Sequence, residues 1–207
     1  LRGKVGGCKM KIVGLTGGIA SGKSTVSNIL AKFGLPIIDC DKISREILLP
    51  NKPAYQKVLE QFGSEIANQD GSINRKVLAS IVFADSQALS QLNHITHPAI
   101  IQEIKERLAD LEQKLCPAVV VDAPLLLEAG LDKLTTEIWV VTADRETKIQ
   151  RAMLRDNATR EQVLLRMENQ LDDQERLAHA DVVITNNGSI AQLEITIKEL
   201  LNQRGLL

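Results

Sequence analysis

The stretch Gly17-Gly18-Ile19-Ala20-Ser21-Gly22-Lys23-Ser24 constrains this chain more than any other, because it fits G-x-x-x-x-G-K-[ST]. Its flanks complete the pattern. Lys11 to Thr16 is a short apolar run that reads as a buried strand. Ser24 to Phe33 reads as an amphipathic helix, with Val26, Ile29, Leu30 and Phe33 at helical spacing. A strand that feeds a glycine-rich turn and then a helix aims several backbone N–H groups at one point. The helix N-terminus adds about half a positive charge there. Such a loop suits the phosphates of a nucleoside triphosphate. Gly18, Ile19, Ala20, Ser21, Gly22, Lys23, Ser24 and Thr25 are expected to line them. Lys23 would reach the β- and γ-phosphates, and the Ser24 hydroxyl would ligate Mg²⁺. Switches, motors and kinases share this loop, so it does not by itself fix the reaction.

Length and composition narrow the choice. At 207 residues the chain makes one domain, or one core with an insertion. A net charge of −1 gives no global field to attract nucleic acid or an acidic membrane. Aromatics at 2% argue against a base-stacking platform. No stretch approaches the roughly 20 apolar residues of a membrane span. Nucleic-acid and membrane partners are therefore not expected. The pattern is compatible with a monomer but does not fix the oligomeric state. Cys8, Cys40 and Cys116 are scattered and odd in number, without C-x-x-C. That argues against a disulfide framework or a cysteine zinc site and suits the cytoplasm. Leu1 to Lys9 reads as a leader, native or left over from cloning, with Met10 a candidate start.

Five short runs rich in Val or Ile read as strands: Lys11–Thr16, Leu35–Asp39, Ala118–Asp122, Glu137–Thr142 and Asp181–Thr185. Near-continuous apolar runs of this kind suit parallel strands covered on both faces. Helical patterns separate them, which gives an α/β class: a five-stranded parallel sheet flanked by helices. The interval from 42 to 116 is too long for one crossover. It carries helical periodicity over Ile43–Leu49, Tyr55–Phe62, Arg75–Phe83 and Ala99–Leu115. A helical insertion over about 42–116 is expected, with the core over about 10–41 and 117–207. Residues 145–180 form a second, charge-rich helical segment. Thr159-Arg160-Glu161-Gln162 reads there as a capping box that restarts a helix after Asp156-Asn157. Helix, break and helix, loaded with Arg, is the build of a lid.

Phosphoryl transfer needs positioning, a carboxylate near the acceptor hydroxyl, and cations on the moving group. Asp39-Cys40-Asp41 ends the second strand, where ligands of open α/β sheets bind. In an extended segment both carboxylates would point to one side, as proton acceptor and as ribose or metal-water anchor. Asp41 could equally N-cap a helix starting at Lys42. Cys40 reads as a small buried residue between them. Asp122 ends the third strand and could orient Mg²⁺-bound water, or serve as a cap. Lys148, Arg151 and Arg155 share one helix face. They could close on a triphosphate or form a solvated face, with Arg160 and Arg166 nearby. His97-Pro98 is expected to open a long helix, with Pro at its first position. His97 could bind substrate or be structural. A guanine-reading N-K-x-D is lacking, since Asn51-Lys52 runs into Pro53-Ala54.

These pieces occur in the order of a known family. The chain resembles the bacterial dephospho-CoA kinases over nearly its whole length from Met10. The resemblance is carried by Gly14-Leu15-Thr16 and the loop, Asp39-Cys40-Asp41 with Arg45-Glu46, and Leu92-Asn93 with His97-Pro98. It continues in Asp122-Ala123-Pro124-Leu125-Leu126 with Glu128, then Arg151, Arg155-Asp156, Arg166 and Gln170, then Ala180-Asp181 and Asn186-Asn187-Gly188. It implies transfer of the ATP γ-phosphate to the ribose 3′-hydroxyl of dephospho-CoA, with Mg²⁺, in a core bearing a CoA-binding helical region and a lid. It implies Lys23, Asp41 and Arg151 as catalytic groups. Asp39, Asp41, Arg45, His97, Asp122, Pro124, Leu125 and Glu128 would meet the substrate. Ala20 replaces a Gly common in the loop, so the backbone there must suit a Cβ. Cys40 replaces a small residue, often Ala. Another small-acceptor kinase of the same fold, for a nucleotide or nucleoside, is the alternative.

Overall fold

The protein is described by a computed structural model in which residues 9–207 are placed. Cys8 and most of the expected leader lie outside the described residues. The strands are β1 (Lys11–Gly17), β2 (Ile37–Asp39), β3 (Ala118–Asp122), β4 (Glu137–Thr142) and β5 (Val182–Thr185). They form one parallel sheet in the order β2-β3-β1-β4-β5. In register, Leu15 of β1 faces Asp122 of β3 and Trp139 of β4. All five residues of β3 are buried, as parallel strands covered on both faces require.

The chain divides into two compact units. One contains the residues up to Ile38 together with Leu111–Leu207; the other is Asp39–Asp110. In the first, α1 (Lys23–Lys32) and α9 (Ile190–Gln203) pack on the sheet. Val26, Ile29 and Leu30 of α1 and Leu193, Ile197 and Leu201 of α9 join Val13, Leu15, Trp139 and Ile184 in one core. The Glu137 carboxylate accepts from Trp139 Nε1 at 3.0 Å and pairs with Lys11 at 3.3 Å and Arg204 at 3.0 Å. Burial would raise its pKa, but the Trp139 and Lys11 hydrogen bonds outweigh burial and hold it below the usual carboxylate value.

The second unit has its own core. α2 (Cys40–Glu46), α3 (Pro53–Phe62), α4 (Arg75–Ala84) and much of the long α5 (Ser86–Gln113) belong to it. Val58 and Phe62 of α3 cluster with Ile66, Ile73, and Leu78 and Val82 of α4. Arg107 of α5 pairs with Glu46 of α2 and with Glu103 one turn away.

Three of the differences from the sequence reading have a clear local reason. Leu35 does not start β2. Its N–H donates to Leu30 O at 3.2 Å past Gly34 at φ +90°, so it closes α1 instead. Asp41 does not cap a helix starting at Lys42. Asp39 is the N-cap, accepting from the Lys42 N–H at 3.0 Å, and the helix starts at Cys40. The two carboxylates are thus a cap and a first-turn residue, not a pair on an extended segment. Pro98 does not open a helix. It lies inside α5, a position that removes one N–H from the ladder.

Candidate active site

The phosphate loop begins where β1 ends in the middle of the sheet. Gly22 turns it at φ +94° into α1, and a Cβ there would overlap the Asn186 side-chain amide. Neither a side-chain cap nor an acidic residue occupies the first turn of α1. Its leading N–H groups therefore face outward as an anion site. Ala20 has φ +54°, the left-handed region in which a Cβ is strained and Gly is at ease. This accounts for the Gly common at that position. Ile19 and Ala20 pack against a small core made by Ile149, Ala152 and Val163.

Each sequence-selected cation of this unit can now be placed. Lys23 pairs with the buried Asp122. Asp122 is the counterion of the loop lysine here, and no helix-capping contact is seen for it among the described residues. Arg151, half-buried on α6 (Arg145–Asp156), donates to the Asn186 carbonyl oxygen at 2.9 Å. Asn186 in turn donates from its side chain to the Ser21 carbonyl at 2.9 Å. Asn187 accepts from the Asp144 N–H at 2.8 Å. The end of β5 thus holds both the loop and the helix carrying Arg151.

The other arginines have structural work. Thr159 and Gln162 form the expected capping box of α7 (Arg160–Glu168). Arg160 reaches back to Glu146 through two bonds of 2.7 and 2.8 Å, which hold the Glu146 pKa below its ordinary value. Arg155 and, to a lesser degree, Arg166 lower that of Asp156. The Arg160–Glu146 and Arg166–Asp156 pairs tie α6 to α7. Lys148 is no part of a solvated face. It is 1% exposed and pairs with Asp173, the first residue of α8 (Asp173–Ala178). Pro124 accepts from the Thr16 hydroxyl at 3.1 Å, Leu125 is exposed, and Glu128 lies 3.5 Å from Arg176.

The helical unit contains a cavity of about 450 Å³ lined by Asp41, Ser44, Arg45, Leu48, Arg75, Leu92, Thr96 and Ile100. Apolar walls with a few charged groups are what a small-molecule site needs. Asp41 and Arg45 both line this cavity. Arg75 joins them from α4, which the sequence does not reveal. Asp39 is spent on its cap, and His97 is exposed on α5 and does not line this cavity.

The residues fit magnesium in one mode. Among the described residues no cluster of three His, Cys, Asp or Glu could hold a metal. Ser24 is exposed at the start of α1. A single hydroxyl there suits an ion held mostly by phosphate oxygens and water.

A β1–loop–α1 unit with a buried Lys–Asp pair, on a parallel sheet of this order, defines a P-loop kinase. A shikimate kinase from Acinetobacter baumannii has the same fold, with a TM-score of 0.53 at 16% identity over 97% of both chains. The family profile described as dephospho-CoA kinase matches residues 11–192. Dephospho-CoA kinases from Geobacter sulfurreducens and Carboxydothermus hydrogenoformans are 46% and 45% identical, each over 94% of this chain and over 99% and 94% of their own lengths. The solved dephospho-CoA kinase from Campylobacter jejuni superposes with a TM-score of 0.72 at 30% identity, covering 95% of this chain and 98% of that one. The chain belongs to the dephospho-CoA kinase family.

Proposed function

We propose that this kinase transfers the γ-phosphate of ATP to the ribose 3′-hydroxyl of dephospho-CoA, giving CoA and ADP. Family membership over nearly the whole chain, with the phosphate loop intact, is the observation that carries this reading. The loop N–H groups and Lys23 hold the triphosphate. Ser24, together with the nucleotide, would hold Mg²⁺, which would supply charge neutralisation on the phosphate oxygens. Arg151 exchanges the Asn186 carbonyl for the transferring phosphoryl group, where a planar guanidinium suits bidentate contact. Asp41 accepts the proton of the attacking hydroxyl. The cavity beside it supports this role, since Arg45 and Arg75 provide cations for the acceptor's pyrophosphate and Leu48, Leu92 and Ile100 provide apolar surface. Residues 42–116 act as the acceptor-binding insertion and 145–180 as the lid. No helix among the described residues is long and apolar enough to cross a membrane. Among the described residues Cys40 and Cys116 form no disulfide, which supports a cytoplasmic setting.

The acceptor is tested by competition. In an ADP-release assay with dephospho-CoA and nucleoside monophosphates at equal concentration, turnover is expected to follow dephospho-CoA. Faster turnover with a nucleoside monophosphate would reassign the chain to nucleotide phosphorylation.

A further inference from the structure

Beside the start of the phosphate loop lies a cavity of about 220 Å³, bounded by Gly18, Ile19, Arg145, Lys148 and Arg176 among others. Two of its cations are almost wholly buried: Lys148 is 1% and Arg176 2% exposed. Their shared counterion is the Asp173 carboxylate, whose side chain is 42% exposed. Lys148 pairs with it closely. Arg176 is served poorly, at 3.4 Å from Asp173 and 3.5 Å from Glu128, both beyond good hydrogen-bond length. Among the described residues its Nε has no hydrogen-bond partner. Buried charges kept for stability alone should be fully satisfied. These are not.

The same neighbours reach the loop backbone. Gln170 Oε1 accepts from the Ile19 N–H at 2.9 Å. A Cβ on Gly18 would come within 3.1 Å of Asp173 Oδ1 and 3.2 Å of Arg176 Nη1. One loop donor and two buried cations thus converge on two side-chain acceptors, Gln170 and Asp173. A terminal phosphate offers the same chemistry: dispersed negative charge on several acceptor oxygens.

We infer that Gln170 and Asp173 act as internal substitutes for the nucleotide's terminal phosphate, and that Lys148 and Arg176 are the cations handed over to it. This rests on the reading that the loop binds ATP. Nucleotide entry is then an exchange. ATP displaces Gln170 and Asp173, whereas ADP, which ends one phosphate short, leaves them in place. The pair therefore sets the preference for ATP over ADP.

The test is calorimetric titration of the purified protein with MgATP and with MgADP. Asp173→Asn removes the competing charge. It should tighten ATP about tenfold and leave ADP within about twofold. Lys148→Met should weaken ATP about tenfold, again sparing ADP. If Asp173→Asn does not fold, Gln170→Ala decides, with about a threefold gain for ATP alone. Wild type that binds both nucleotides, with variants whose ATP-to-ADP ratio is unmoved while thermal stability falls, overturns the exchange and leaves a packing ion pair. Wild type that binds neither nucleotide overturns the loop assignment itself, and the exchange with it.

Discussion

In the unit that carries the phosphate loop, Lys23, Lys148 and Arg160 each face a carboxylate: Asp122, Asp173 and Glu146. In the helical unit, Arg45 and Arg75 line a cavity and have no ion pair among the described residues. The difference is one of binding thermodynamics. On the nucleotide side, bringing in phosphate replaces one set of charge contacts by another. The net gain is small per contact and the geometry is already fixed. On the proposed acceptor side, an anion would meet Arg45 and Arg75, for which no ion pair is seen among the described residues, so each new contact would add directly. Preorganised charge serves the chemical step, whereas available charge serves capture of substrate.

Two substitutions press on this contrast. Arg151→Ala should act on the chemistry. Loss of one preorganised donor to the moving phosphoryl group costs about 100-fold in kcat, with KM for both substrates little changed. Steady-state kinetics with ATP and dephospho-CoA varied in turn would show it, and a kcat within about twofold of wild type would remove Arg151 from the reaction. Arg75→Ala should act on capture. KM for dephospho-CoA should rise about tenfold, with KM for ATP and kcat near wild type. Its penalty should shrink as salt rises, because the lost contact is a partly exposed charge pair. An equal rise in KM for ATP would erase the distinction between the two sides.

What could be read ahead of the structure followed from local periodicity. β3 and β4 have the bounds their Val-rich runs predict, and the loop and α1 follow from glycine spacing. The capping box at Thr159 was equally legible, because both of its partners lie within four residues. Pro98 misled for the same reason. A proline is a strong local stop signal, yet α5 carries it in its interior, with apolar residues on either side to pack. The site was legible where one segment supplies it and obscure where distant segments meet. Asp173 stands 25 positions from Lys148, and nothing in either neighbourhood announces a buried pair. Arg75 looks like any helix-opening cation until α4 brings it to the cavity that Asp41 lines. Asn186 was visible as part of a family pattern, but its double duty toward Ser21 and Arg151 required the turn after β5.

The claim on which all of this stands is the covalent outcome at one sugar hydroxyl. Phosphorus NMR of a reaction of this protein with ATP, Mg²⁺ and dephospho-CoA reads that outcome without a coupling enzyme. A new phosphomonoester on the ribose 3′-oxygen, growing in step with ADP, is the predicted result. ATP that stays intact, or that loses its terminal phosphate only to water, would contradict it.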